Sequence, residues 1–312
     1  MATAVMGMAV MPVDCADAPR YAELHCLTHF TFLRGASHPW SLVERAQQLG
    51  YAALAITDEC SVAGVVRAHV ALRKVREKMA AAPSLKLIVG AEFRLTCGLR
   101  FVALAMNRQG YGRLCSLISR GRRAAPKGEY ALTRADVEAC LDQCLILWLP
   151  DRERDHEAAD WLGTRFRGHV WIAVALIRDD DDREHLDELV RLGVDCGLPL
   201  VACGDVHMHV RERRRLQDAL TAIRFNVPLT EAGRRLYANG ERHLREPARL
   251  ARLYPPGLLA QTLVIAARCS FSLDELKYEY PRELIPAGET PTTHLRKLVA
   301  QGIPLRWPQG AD

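Results

Sequence analysis

Between residues 20 and 225, short apolar runs alternate with longer amphipathic or charged stretches. The runs AELHCL (22–27), ALAIT (53–57), KLIVGAEF (86–93), RFVALAM (100–106), CLILWL (144–149), VWIAVAL (170–176) and LPLVACGDV (198–206) predict seven strands. Most are apolar on both faces, the pattern of parallel strands covered on both sides. The intervening stretches predict helices: SLVERAQQLG, closed by Gly50; VVRAHVALRKVREKM; GYGRLCSLISRGRR; TRADVEACL, with Thr133 as N-cap; and DREHLDELVRLGVDCG. This alternation belongs to an α/β chain, a barrel or a doubly wound sheet. After Gly204 the β pattern stops. PARLARLYPPGLLAQTLVIAARCSF predicts two helices divided by Pro255-Pro256, because consecutive prolines remove backbone donors. From Pro281 onward, further prolines punctuate a weakly patterned tail with one short helix, THLRKLVAQG. The expected division is a flexible N-terminal extension over 1–20, a barrel over 21–225, and a helical segment with the start of a connector over 226–312.

Composition narrows the classes. The chain has 312 residues, 49% hydrophobic and 25% charged, enough for one large core or two modest ones. Every strongly apolar run is shorter than the ~20 residues a bilayer requires, so no membrane span or membrane partner is expected. The first twenty residues carry two Asp and no basic residue before Arg20, which argues against a secretory signal. Ten cysteines lie scattered without a CxxC pair, excluding a zinc ribbon or thioredoxin-like motif and pointing to a reducing, cytoplasmic location. The net charge of +5 conceals two basic segments. Residues 108–128 carry six basic residues and no acid, and residues 211–252 carry eleven Arg against five acids. Each contributes +6, leaving −7 for the remainder. Arg120, Arg122, Arg123, Arg213 and Arg214 are therefore candidates for weak, salt-dependent contact with DNA, against the alternative of solvated helix faces.

The strongest local chemical signal is GDVHMH, at the end of the last apolar run. If the extended backbone continues, Asp205, His207 and His209 point the same way, a metal-ligand pattern at the usual functional face of a barrel. LHCLTHF sets His25, Leu27 and His29 on one face of the first strand, and VGAEF supplies Glu92. Each of these could equally be a hydrogen-bonded structural residue. Walker A, strand-anchored GxGxxG and GxSxG patterns are absent, and HEAAD at 156–160 is not HExxH.

Four stretches carry a family resemblance: YAELHCLTHFTFLRGASHPWSLVERAQQLGYAALAITDECSVAGVVRAH, LKLIVGAEFRL, NRQGYGRLCSLISRGRR and PLVACGDVHMHVRERRRLQDALTAIR. Together they resemble the N-terminal PHP (polymerase and histidinol phosphatase) domain of bacterial C-family DNA polymerases, most of all the error-prone, translesion alpha-subunit type. The similarity covers about residues 20–308. It implies an α/β fold, a PHP-type distorted (β/α)7 barrel followed by a helical C-terminal connector. It also implies a role within a DNA-directed DNA polymerase, a nucleotidyltransferase of DNA replication, repair and damage-induced translesion synthesis. The partners it implies are DNA through the parent polymerase, the polymerase core, and mutagenesis accessory proteins or a sliding clamp.

Metal-dependent members of the family hydrolyse phosphoester bonds at a cluster on the C-terminal ends of the strands. By resemblance, His25, Glu92, Asp205 and His207 stand at retained metal-ligand positions. Leu27 stands for a His and cannot coordinate. Arg34 stands for an Asp, placing a permanent cation where a ligand belongs. Glu59 stands for a His, Arg100 occupies another His position, and near Asp151 no ligand aligns. Losing ligands should destroy at least one position of a multi-metal site, so the resemblance implies a degenerate, structural site with no catalytic residue in which an Arg replaces metal by ion pairing. A residual divalent ion, Zn, Mn or Mg, is the alternative, and with it a metal-dependent phosphoesterase or 3′-5′ exonuclease. The palm aspartates of a polymerase have no counterpart in the sequence, so the connector is expected to lead toward an absent palm.

Overall fold

A computed structural model describes residues 20–78, 84–151, 155–277 and 285–310. The proposed N-terminal extension falls almost wholly outside them. Seven strands form one sheet in sequence order: β1 (Ala22–Glu23), β2 (Ala53–Ile56), β3 (Lys86–Arg94), β4 (Arg100–Ala105), β5 (Cys144–Trp148), β6 (Val170–Ala175) and β7 (Leu200–Cys203). The sheet curls until its edges meet. Past the ends of β1 and β7, Leu27 donates to the Val206 carbonyl at 2.8 Å and Val206 to the His25 carbonyl at 2.9 Å. The fold is thus the expected α/β type, a nearly closed seven-stranded barrel.

Helices α1 (Pro39–Gln48), α2 (Ala63–Lys78), α3 (Arg108–Arg123), α4 (Arg134–Cys140), α5 (His156–Arg165) and α6 (Asp182–Cys196) connect the strands. Four more follow β7: α7 (Arg214–Arg224), α8 (Pro247–Leu253), α9 (Pro256–Arg268) and α10 (Pro291–Arg306). Thr133 caps α4 in a reciprocal capping box with Asp136. Gly197 ends α6 in the left-handed conformation at φ 65°.

Not all the strands are parallel. β4 runs antiparallel to both β3 and β5. The five residues Leu95–Leu99 are too few for a crossover helix and force a hairpin. The apolar pattern conceals this reversal, because a barrel strand is covered on both faces whichever way it runs. Along β5, Cys144, Ile146 and Trp148 pack outward against helices, whereas Leu145 and Leu147 pack into the barrel.

The first strand is also shorter than its apolar run. The Glu23 carboxylate accepts hydrogen bonds from the backbone N–H groups of His25, at 3.0 Å, and Gly204, at 2.9 Å. A side chain thus takes the place of ladder carbonyls at the seam.

Helix α9 closes the end of the barrel where the parallel strands begin. Its Ile265 and Ala266 join the interior core, Thr262 Oγ1 accepts from the Ala22 N–H, and the Ala266 carbonyl accepts from Lys86 Nζ. By length and composition, Pro256–Glu275 would suffice to cross a bilayer, which corrects the expectation that no segment is long and apolar enough. In the fold, this segment packs beneath a barrel. The compact unit continues through Glu275, and Leu276–Asp312 forms a second unit containing α10.

Candidate functional site

The C-terminal ends of the parallel strands converge at the mouth opposite α9. His25 follows β1, Glu92 lies late in β3, and Asp205 and His207 follow β7. His25, Glu92 and His207 are fully buried, so their polar atoms must be satisfied by one another. His25 Nε2 lies 2.8 Å from Glu92 Oε2, and its Nδ1 lies 3.6 Å from Asp205 Oδ1. Burial, reinforced by Arg34, drives His207 well below the usual imidazole range and keeps it neutral. Gln217 Nε2 donates to His207 Nδ1 at 2.7 Å, which leaves Nε2–H to donate to Asp205 Oδ1 at 3.1 Å. The four residues read as retained ligands are therefore brought together.

Cations occupy the same mouth. Arg34 forks onto Glu92, with Nη1 at 2.9 Å from Oε1 and Nη2 at 3.1 Å from Oε2, and Nη1 also reaches Glu59 Oε2 at 2.6 Å. Burial would raise the Glu92 pKa, but Arg34, the hydrogen bond from His25 and the charge of Arg100 hold it well below the usual carboxylate range. Arg100, at the start of β4, lies 3.6 Å from Glu92 Oε1. Glu59 accepts a further hydrogen bond from Tyr130 at 3.1 Å. The side chain of Leu27, read from the resemblance as standing for a His, is fully buried.

Asp205 has its own cation, Arg242, which sequence reasoning missed. Arg242 lies under the Tyr237 ring, 4.9 Å from its centroid. Burial, with Arg100 and Arg34 adding to it, pushes Arg242 down to about 10. Three guanidinium groups, Arg34, Arg100 and Arg242, thus face the three carboxylates Glu59, Glu92 and Asp205. Among the described residues, no group of three or more His, Cys, Asp or Glu is arranged to hold a metal ion. A cavity of about 260 Å³ opens beside Arg100, Arg242 and Asp205, with Asp179, Asp182 and His185 on its far wall.

Two histidines stay apart from this cluster. Asp205 adopts φ 42°, which breaks the extended alternation. His209 consequently pairs with Ser37, its Nδ1 2.8 Å from Oγ, instead of following Asp205 and His207. His29 packs against His38, with ring centroids 4.4 Å apart.

The arginines read as DNA contacts are differently placed. Arg120 pairs with Asp136 at 3.1 Å. Arg122 stacks over Tyr130, 5.4 Å from its ring centroid, and donates to the Glu59 and Cys60 carbonyls at 3.2 Å. Arg214 reaches the Tyr237 and Ala238 carbonyls at 3.4 Å. Arg123 and Arg213 are the two whose side chains no such contact engages among the described residues.

A curled seven-stranded α/β barrel with a histidine and carboxylate mouth defines a class, and the match to known families agrees with it. The PHP domain family matches residues 23–192, and the chain belongs to that family. It is 54% identical over 297 residues to the error-prone DNA polymerase of Dechloromonas aromatica, covering 94% of this chain and 28% of that protein. It is 54% identical over 298 residues to the error-prone DNA polymerase of Methylococcus capsulatus, covering 95% and 28%, and 53% identical over 292 residues to that of Pseudomonas aeruginosa, covering 94% and 27%. The chain spans less than a third of the length of these curated relatives. Among solved structures, it is similar to a protein classed as a metal-dependent phosphoesterase from Bifidobacterium adolescentis, 16% identical, with a TM-score of 0.44 over 61% of this chain and 89% of that one. An amidohydrolase from Chromobacterium violaceum is 13% identical, with a TM-score of 0.44 over 60% and 87%.

Proposed function

We propose that this chain is the PHP portion of an error-prone DNA polymerase and that its barrel mouth is a structural, non-hydrolytic site in which arginines replace metal ions. The observation that carries this reading is the bidentate grip of Arg34 on Glu92. Both oxygens of this buried carboxylate already face a cation, and Arg242 pairs with Asp205. A divalent ion entering there would meet fixed positive charge, so the residues present do not fit a metal cluster.

In this reading the barrel braces the polymerase core during damage-induced, translesion DNA synthesis in the cytoplasm. The second unit is the start of a connector toward the palm. DNA, mutagenesis accessory proteins and a sliding clamp are the partners of the parent polymerase, with Arg123 and Arg213 offering this chain's own weak contact to phosphates.

A second reading, a metal-dependent phosphoesterase or 3′-5′ exonuclease, has one observation in its favour: the buried His25 Nδ1 has no hydrogen-bond partner. Elemental analysis of protein purified without added metal, followed by phosphoester and DNA 3′-end hydrolysis assays with Mn²⁺ or Zn²⁺, separates the two. The expected results are substoichiometric metal and no turnover. Two or more tightly bound ions per chain, or hydrolysis abolished by Asp205→Ala, would establish the second reading instead.

A further inference from the structure

The outer face of a barrel helix is ordinarily polar, because its apolar stripe is spent on the sheet. Helix α2 departs from this rule. Its Val66 and Val70 are 58% and 47% exposed, and Trp40 on the neighbouring α1 is 56% exposed. These side chains line one groove of about 860 Å³, with Val75 continuing the α2 wall and Phe30 on the opposite side. The wall positions follow helical spacing along α2, whose sixteen residues span about 24 Å. A contiguous apolar surface of this shape, on two packed helices, marks a contact site and not scattered exposure.

The rim carries a sign. Arg67, Lys74 and Lys78 stand along the groove against the single carboxylate of Glu44. None of the three cations has an ion-pair partner among the described residues.

We infer that this groove is the docking site for an acidic amphipathic helix of a separate partner protein. The helix would lay apolar residues at i, i+3/i+4 and i+7 on the valines and Trp40 while its acidic flank meets the three cations. A helix is favoured because the valines of the α2 wall accept aliphatic side chains by burial, while Trp40 and Phe30, rings on which a base could stack, make a nucleic-acid strand the outcome that oligo-dT competition tests.

The test uses the 312-residue chain and a fluorescein-labelled amphipathic peptide of about 18 residues, Leu on one face and Glu on both flanks, read by anisotropy. Binding is expected at about 1–50 µM. It should weaken at least ~10-fold in Val66→Asp/Val70→Asp, a change at exposed positions that leaves the thermal melt in place. Lys74→Glu/Lys78→Glu should instead favour a Lys-flanked peptide. The inference is overturned by absent binding up to about 1 mM peptide, or by equal binding to all variants. It is equally overturned if an oligo-dT strand displaces the peptide, or if sedimentation shows self-association through the groove that Val66→Asp/Val70→Asp abolishes.

Discussion

Replacing Arg34 by Met tests the assignment of a structural mouth most directly. Arg34 makes three charge-assisted hydrogen bonds, two to Glu92 and one to Glu59, from a side chain 11% exposed. The Glu92 side chain is 2% exposed, so water cannot replace the lost partner. Removing one member of a buried pair costs about 3–5 kcal/mol, because the other charge is left uncompensated. At roughly 2–4 °C per kcal/mol for a unit of this size, the melting temperature should fall by about 6–20 °C. Arg34→Met/Glu92→Gln should recover most of that loss, since it removes both charges together. Urea unfolding followed by circular dichroism, alongside calorimetry, measures each term of the cycle. If Arg34→Met does not fold, Arg34→Lys retains the charge without the fork and should give an intermediate loss. A single-variant loss under about 1 kcal/mol, or a double variant no more stable than Arg34→Met, would refute the argument.

Three further outcomes are expected. A Cβ at Gly204 would overlap the Glu23 carboxylate, so Gly204→Ala should cost about 1–3 kcal/mol in urea unfolding by forcing the seam apart. Arg122→Glu should destabilise the fold, because that guanidinium braces the Glu59 and Cys60 carbonyls, whereas Arg123→Glu should leave the melt unchanged and reduce the salt slope of DNA binding by about one. Thr133→Ala should cost about 1 kcal/mol. The hydrogen bonds from Thr133 hold Asp136 below its ordinary value of 3.8, so the part of the deficit carried by that carboxylate is present above that pH and fades as pH falls through the folded pKa, while the N-cap bond from the Asp136 N–H does not titrate; a deficit that grew on acidification would count against it.

The alternation of apolar runs made the seven strands legible, and turn chemistry at Thr133, Gly197 and Pro255-Pro256 made the helix ends legible. Strand direction was not, because burial on both faces looks the same in β3, β4 and β5 whichever way each runs. The contraction of β1 was hidden for a related reason. Glu23 reads as one polar residue in an apolar run, and only the closed barrel reveals that its carboxylate spans the seam. At the mouth, Arg34 could be singled out because the resemblance reads it at an Asp position. Arg242 could not. A largely buried carboxylate such as Asp205 calls for a cation, and the Arg excess over 211–252 supplies candidates, but nothing in the sequence distinguishes one Arg of eleven. Likewise, the positive φ of Asp205, which turns His209 toward Ser37, has no marker in GDVHMH.

The arginine pairs at the mouth change how the protein depends on its surroundings. A metal held by ligands stabilises a fold by mass action, and its contribution rises and falls with the free ion. A guanidinium tethered to the same chain has no such concentration term, so neither a chelator nor scarcity of an ion can remove it. On the proposed reading, placing a His at Leu27 alone would leave Arg34 on Glu92, and removing Arg34 alone would strand a buried carboxylate, so neither single change yields a stable metal site.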